Sequence, residues 1–294
     1  MLNRVTNQTM AAAAQRNLQA GQAKLASLQE KGATLQNITR PSDDPAALAA
    51  ALATRGQLQA ADQYSNNISD GTGWLNTADS ALGQATNVLN RIRDLMLQAS
   101  NGSLNQPAKD AIAAEIEGLN KDLLASANTK YLGRNVFAGN SDAAAAFTGQ
   151  PPAFNGTPVS SVERRVDADR TVRVDADGGA IFGDGAGSVF ALVGDVVAAI
   201  RAGADPSGRL DAVDDRLKTV ISGRAEVGTR QSLLEQARDA VAAQKVTLES
   251  RRSAIEDADI GQVVLDLKLQ ETNYQVALAV TAKVLQPSLM DFLR

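Results

Sequence analysis

The sequence predicts a mainly α protein: an elongated bundle of long helices with coiled-coil termini and a small β-rich central insert. Three observations lead there. Phe, Trp and Tyr make up only 3% of a 294-residue chain that is 44% hydrophobic. The apolar content is largely alanine, leucine and valine, which suits slim helix-on-helix packing rather than a thick core. Prolines gather at Pro41 and Pro45, at Pro107, at Pro151, Pro152 and Pro158, and at Pro206 and Pro287, leaving proline-free stretches long enough for extended helices. Finally, apolar residues recur at helical spacing and run close to both ends of the chain.

Residues 1–42 read as an N-terminal coiled-coil arm, with Ala11, Ala14, Leu18, Gly21, Leu25, Leu28 and Leu35 on one face. Gly21 and Gly32 lie on that stripe, each costing about 1 kcal/mol relative to alanine. The arm is therefore expected to be poorly ordered alone and to admit a partner helix closely. Residues 43–139 form the N-terminal part of a helical rod domain. Asp44 is placed to cap its first helix and Pro45 to occupy the first helical position. Leu75, Ala78, Leu82, Ala85, Leu89, Ile92, Met96 and Ala99 mark a second seam. An unbroken helix over 46–100 would be a rod of roughly 80 Å at about 1.5 Å per residue, with Gly71 and Gly73 the expected points of interruption. A turn over 101–107 leads to a shorter helix with Ile112, Ile116, Leu119 and Leu123 on its apolar face, an antiparallel hairpin.

Residues 140–205 read as a β-rich outer insert. Glycine and proline are frequent there, and ValSerSerValGluArgArgVal and ThrValArgVal alternate as half-buried strands do. Helical patterning returns over 206–258, the C-terminal part of the rod domain, where Val220, Val227, Leu234, Val241, Leu248 and Ile255 recur every seven residues. Burying these six side chains gives on the order of 10 kcal/mol before entropy costs. Their companion positions are Gly223, Arg230, Ala237, Gln244, Arg251 and Ala258, so half of a self-sufficient zipper is missing. Residues 259–294 form a C-terminal coiled-coil helix with Val264, Leu267, Tyr274, Leu278 and Leu285 on its apolar face and Leu289, Met290, Phe292 and Leu293 beyond. The economical partner for each end is the other end, in the same subunit and in its neighbours. The expected assembly interface is thus Leu18, Leu25, Leu28, Leu35, Val264, Leu267, Tyr274, Leu278, Leu285, Leu289 and Phe292. The expected rod core is Leu75, Leu82, Leu89, Ile92 and Met96 with the heptad positions Val227 to Ile255.

Composition argues against most chemistry. Histidine and cysteine are both absent, which removes the commonest general base, the usual catalytic metal ligand and any thiolate site. A net charge of −4 from intermixed charges offers no basic stripe for nucleic acid. No apolar run is long enough for a signal peptide or a membrane span, so secretion is expected to use an uncleaved signal. GlyAspGlyAlaGlySer (183–188) places Ser188 at the last glycine of a phosphate loop and lacks its lysine; a tight turn is expected. AspAlaAspGlyGly (175–179) lacks the later ligands of a calcium loop and is expected to be a hairpin turn. Asp43 and Asp44 read as caps rather than as an acid and base. No catalytic residue, cofactor or metal is assigned, and the chain is not expected to be an enzyme. An alternative of another class is a secreted enzyme or glycan-binding module housed in residues 140–205.

AsnAsnIleSerAspGlyThrGlyTrpLeuAsnThrAlaAspSerAlaLeu (66–82), LeuAsnArgIleArgAspLeuMetLeuGlnAlaSerAsnGly (89–102) and TyrLeuGlyArgAsnValPheAlaGly (131–139) resemble the amino-terminal rod of the flagellin superfamily. GluAspAlaAspIleGlyGlnValValLeuAspLeuLysLeuGlnGluThrAsnTyrGlnValAlaLeuAla (256–279) resembles its carboxyl-terminal helix. Within the superfamily, ArgProSerAspAspPro (40–45) and LeuGlnProSerLeuMetAspPheLeuArg at the end look more like the hook–filament junction members than like filament flagellin. The resemblance covers roughly 1–140 and 210–294. It implies a secreted, non-enzymatic axial subunit supporting motility, exported unfolded through the flagellar type III apparatus. Its implied partners are further copies in a ring, the adjoining junction protein, flagellin, and an export chaperone on the carboxyl-terminal helix. A short filament flagellin is the alternative within the class.

Overall fold

A computed structural model describes residues 7–157 and 160–285. Among the described residues seven α-helices dominate: α1 (Asn7–Thr34), α2 (Pro45–Ala99), α3 (Gln106–Ala127), α4 (Gly178–Phe182), α5 (Val189–Arg201), α6 (Leu210–Glu256) and α7 (Ile260–Leu285). The strands are short and pair only with their successors, β1 (Lys130–Tyr131) with β2 (Arg134–Asn135), β3 (Phe147–Thr148) with β4 (Ala153–Phe154), and β5 (Glu163–Arg165) with β6 (Thr171–Arg173), all antiparallel. The chain gathers into two compact units, one made of the two ends (up to Gln59 and from Lys245) and one of residues 60–244.

Helix starts follow local chemistry. Asp44 Oδ1 accepts from the Ala46 and Ala47 amides at 3.1 and 2.9 Å, with Pro45 at the first helical position. Asn105 caps α3 and Ser188 caps α5 in the same way. The segment 183–188 is a turn with a single 3-10 turn at Gly185–Gly187. Residues 175–179 depart from the expected hairpin turn: the Asp177 carboxylate accepts from the Ala180 amide at 3.0 Å and opens α4. An Asp three residues ahead of a free amide is as good a helix cap as a turn former, and burial of Ile181 and Phe182 selects the helix.

α2 runs unbroken for 55 residues, through both Gly71 and Gly73, the two candidate points of interruption. The glycines serve close packing instead. A Cβ on Gly71 would lie 3.0 Å from Val174 Cγ1 and 3.2 Å from Leu234 Cδ1, and one on Gly73 would overlap the Tyr131 hydroxyl. α6 shows the same logic. A Cβ on Gly223 would come within 2.8 Å of Ile181 Cδ1. Arg230 Nη1 donates to the Asp175 carbonyl at 2.6 Å and the side chain is largely buried. Thus two of the positions that weaken the α6 heptad stripe are where the central segment docks.

Leu75, Leu82, Leu89, Ile92, Met96, Val227, Leu234 and Val241 are buried in the 60–244 unit together with Phe137, Phe147, Phe182 and Phe190. The four phenylalanine rings form one cluster with neighbouring centroids 5.2 to 5.9 Å apart. Residues 140–205 therefore share a core with α2 and α6. Their largest element is α5, a helix packed on α3 through a buried face that includes Val189, Val193, Val196 and Ile200. Its valine-rich sequence conceals the helix, because β-branched residues favour strands until Ser188 fixes a helical start. Leu248 is buried and Ile255 half-buried in the unit made of the chain ends.

Gly73→Ala should destabilise the protein by about 1–3 kcal/mol although alanine is the better helix former, because the methyl group displaces Tyr131. Gly56→Ala, which meets open space, should stabilise by about 0.5–1 kcal/mol. Denaturant unfolding of both variants checks the sign and size.

Candidate assembly surfaces

The two chain ends pair with each other. α1 and α7 pack antiparallel, with Gly21 against Tyr274 and Gly32 against Val263; a Cβ at Gly21 would lie 3.3 Å from Tyr274 Cδ2, and one at Gly32 3.5 Å from Val263 Cγ1. Gln270 Nε2 donates to the Gly21 carbonyl at 3.1 Å, reaching the α1 backbone beside the glycine. Glycine on the α1 stripe therefore costs helix stability locally and recovers it in packing.

At one end of this pair the chain breaks are fastened together. The Asn37 amide donates to the Glu256 carbonyl at 2.7 Å and the Ala258 amide to the Leu35 carbonyl at 3.0 Å, flanking a bridge between Gln36 and Asp257. Arg55 grips the Glu256 carboxylate through two nitrogens at 2.7 and 2.9 Å, the bidentate geometry that fixes orientation as well as distance. Leu35, which ends α1, takes a positive φ of 58° and is 49% exposed. Asp259 caps α7 by accepting from the Gly261 amide at 2.8 Å.

The structure divides the expected interface residues. Leu28 is buried, and Leu18, Leu25, Leu267 and Tyr274 are half-buried, within the α1–α7 pair. Val264 and Leu278 are 51% and 45% exposed. Leu285 closes α7, and Leu289 and Phe292 lie outside the described residues. A further stripe was not singled out in the sequence. Leu265, Leu269, Val276 and Val280 are 62%, 62%, 57% and 55% exposed, and at about 100° per residue they fall on the face of α7 roughly opposite α1. α7 is thus apolar on two faces and covered on one. Counting Ile260, Val264 and Leu278 as well, all more than two-fifths exposed, complete burial would contribute on the order of 5–10 kcal/mol before the costs of association.

The remaining polar contacts are of a structural kind. Arg224 meets Asp79 and Arg93 meets Asp214, both at 2.7 Å, tying α6 to α2, while Arg91 meets Glu115 at 2.6 Å. Each is part-exposed and worth little individually. Among the described residues no group of three or more His, Cys, Asp or Glu is gathered to hold a metal ion, and no described helix is long and apolar enough to cross a membrane.

Long helices, paired chain ends and an exposed apolar stripe on α7 suit a helical subunit of the polymer-forming type. The chain belongs to the bacterial flagellin family: residues 5–142 match the bacterial flagellin N-terminal helical region and residues 210–293 the C-terminal helical region. It is 26% identical over 300 residues to the flagellar hook-associated protein 3 of Escherichia coli, covering 93% of this chain and 94% of that one. It is 27% identical over 271 residues to the flagellin of Bacillus subtilis, covering 87% and 88%. Its fold is shared with a putative flagellar hook-associated protein from Vibrio parahaemolyticus, TM-score 0.68 at 21% identity, over 73% of this chain and all of that one. It is also shared with flagellar hook associated protein-3 from Legionella pneumophila, TM-score 0.62 at 15% identity, over 69% and 98%. The chain is a structural subunit of the bacterial flagellum.

Leu267→Asp should open the α1–α7 pair, raising amide hydrogen exchange over Leu18–Leu28 by about tenfold, since an unpaired charge in this half-buried apolar seam costs at least the roughly 1.4 kcal/mol that tenfold represents. Leu269→Asp, on the opposite face, should leave that exchange within about twofold of the parent.

Proposed function

We propose that this chain is the junction subunit between hook and filament, joining them as a ring of copies packed through their terminal helices. The observation that carries the assembly reading is the second apolar stripe of α7, Leu265, Leu269, Val276 and Val280, which α1 leaves open. The junction assignment draws support from the near end-to-end match with hook-associated protein 3 of Escherichia coli. Neighbouring copies would cover the stripe, with the adjoining junction protein on one side of the ring and flagellin on the other. An export chaperone would cover α7 before assembly. On this reading the chain performs no catalysis. Residues 140–205 share their core with α2 and α6, which disfavours a separable enzymatic or glycan-binding module there.

A second reading, a short filament flagellin, draws on the comparable match to Bacillus subtilis flagellin. Deleting the gene separates the two. Loss of a junction subunit should leave hooks in place while flagellin monomers accumulate in the medium. Loss of the sole flagellin leaves no flagellin to accumulate. Electron microscopy of the cells and an immunoblot of the medium distinguish these outcomes.

A further inference from the structure

The apex of the β1–β2 hairpin is built against its own backbone preference. Tyr131 pairs with Arg134, leaving Leu132 and Gly133 as the turn, with φ of 48° and 83°. Two-residue turns with both φ values positive favour Asn-Gly or Asp-Gly, because a larger side chain is strained there. Leu132 occupies the strained position and is 81% exposed, the most exposed large apolar side chain among the described residues. Lys130 and Arg134 flank it, both exposed; Arg134 donates to Asn140 Oδ1 at 3.0 Å, and neither meets a carboxylate among the described residues. A leucine so placed has a local backbone cost and little burial to offset it.

The same unit carries a hole of matching chemistry. A cavity of about 490 Å³ opens where α3 and α5 meet the loop after β3. Leu124, Pro151, Pro152 and Phe190 give it apolar walls, and Glu117, Lys121 and Asp195 line it with charge; Glu117 is taken by Arg201 at 2.6 Å and Lys121 at 3.7 Å, while the exposed Asp195 meets no cation among the described residues. Asn120, which also lines it, has a buried Oδ1 that no donor reaches among the described residues.

We infer that Leu132 of one copy seats in the α3–α5 cavity of the next, with Lys130 or Arg134 meeting Asp195. A knob and a hole at different places on one molecule allow a head-to-tail contact, which generates rings or helices when it repeats from copy to copy. The pairing rests on the assembly reading above and adds a specific contact outside the terminal helices.

The absence of cysteine makes the test direct. Leu132→Cys and Gly194→Cys chains are produced together in cells lacking the parent gene. Gly194 lines the cavity and has open space at its Cβ position. After mild oxidation, isolated appendages should contain a disulfide-linked dimer holding one chain of each kind. Both variants present in the appendage without a mixed dimer would overturn the contact and leave the junction reading standing. Absence of the parent chain from appendages would overturn both. A second arm uses Leu132→Gly, which relieves the positive φ. The purified chain should melt a few degrees higher while its incorporation into appendages, in competition with the parent, falls about tenfold or more. Incorporation equal to the parent would show that the leucine anchors nothing.

Discussion

The close antiparallel contact of α1 with α7 is the constraint on which the organisation of the chain ends depends. Neither helix has the means to stand alone: α1 carries glycine on its apolar stripe, and α7 has apolar side chains on two faces. Most of a helix's stability in a protein comes from packing its apolar face rather than from propensity. Pairing resolves the weakness of each. Gly21 lets Tyr274 and Gln270 reach the α1 backbone, and the fastening between 35–37 and 256–258 fixes where the pair begins. Once α1 occupies one face of α7, the opposite stripe is left without a partner in the chain's own described residues. A subunit so arranged is complete in its pairing and incomplete in its burial.

The 60–244 unit obeys a related rule. Its long helices are not optimised as zippers; they are notched. Gly71 and Gly73 on α2, and Gly223 and Arg230 on α6, are the places where Val174, Tyr131, Ile181 and the Asp175 carbonyl enter. Buried positions of this kind lose more from an added methylene than the helix gains in propensity. The central segment therefore belongs to the core of the rod helices. Its polar lock is well satisfied: the buried Asp175 carboxylate accepts from the Val162 amide and from two Arg173 nitrogens.

Much of this was legible in the sequence, and the failures have physical causes. The seams at Leu75 to Met96 and at Val220 to Leu248 are visible because burial on a helix imposes a short period on the chain. The Asp44–Pro45 start is visible because capping is local. Gly71 and Gly73 stood out as candidate points of interruption because a glycine's helix penalty is local, whereas Tyr131 and Val174, which justify it, lie far along the chain. The apolar face of α7 was read as one stripe containing Val264, Leu267, Tyr274 and Leu278. A helix with two apolar faces blurs its own periodicity, and only the position of α1 separates them. The spacing of Leu265, Leu269, Val276 and Val280 was a signal that could have shown the second face. α5 stayed hidden because valine-rich runs suit strands as well as helices. The hairpin apex at Leu132 left no signal beyond Leu-Gly where Asn-Gly is usual.

The central claim is that the face of α7 opposite α1 is open in the free subunit and closed by other subunits in the flagellum. A cysteine at position 269, unique in this chain, reports on it directly through reaction with a maleimide probe. The free protein should label readily, and the same position in intact appendages should resist labelling until they are depolymerised. Equal labelling in both states would contradict the account, and protection already present in the free monomer would contradict it as well.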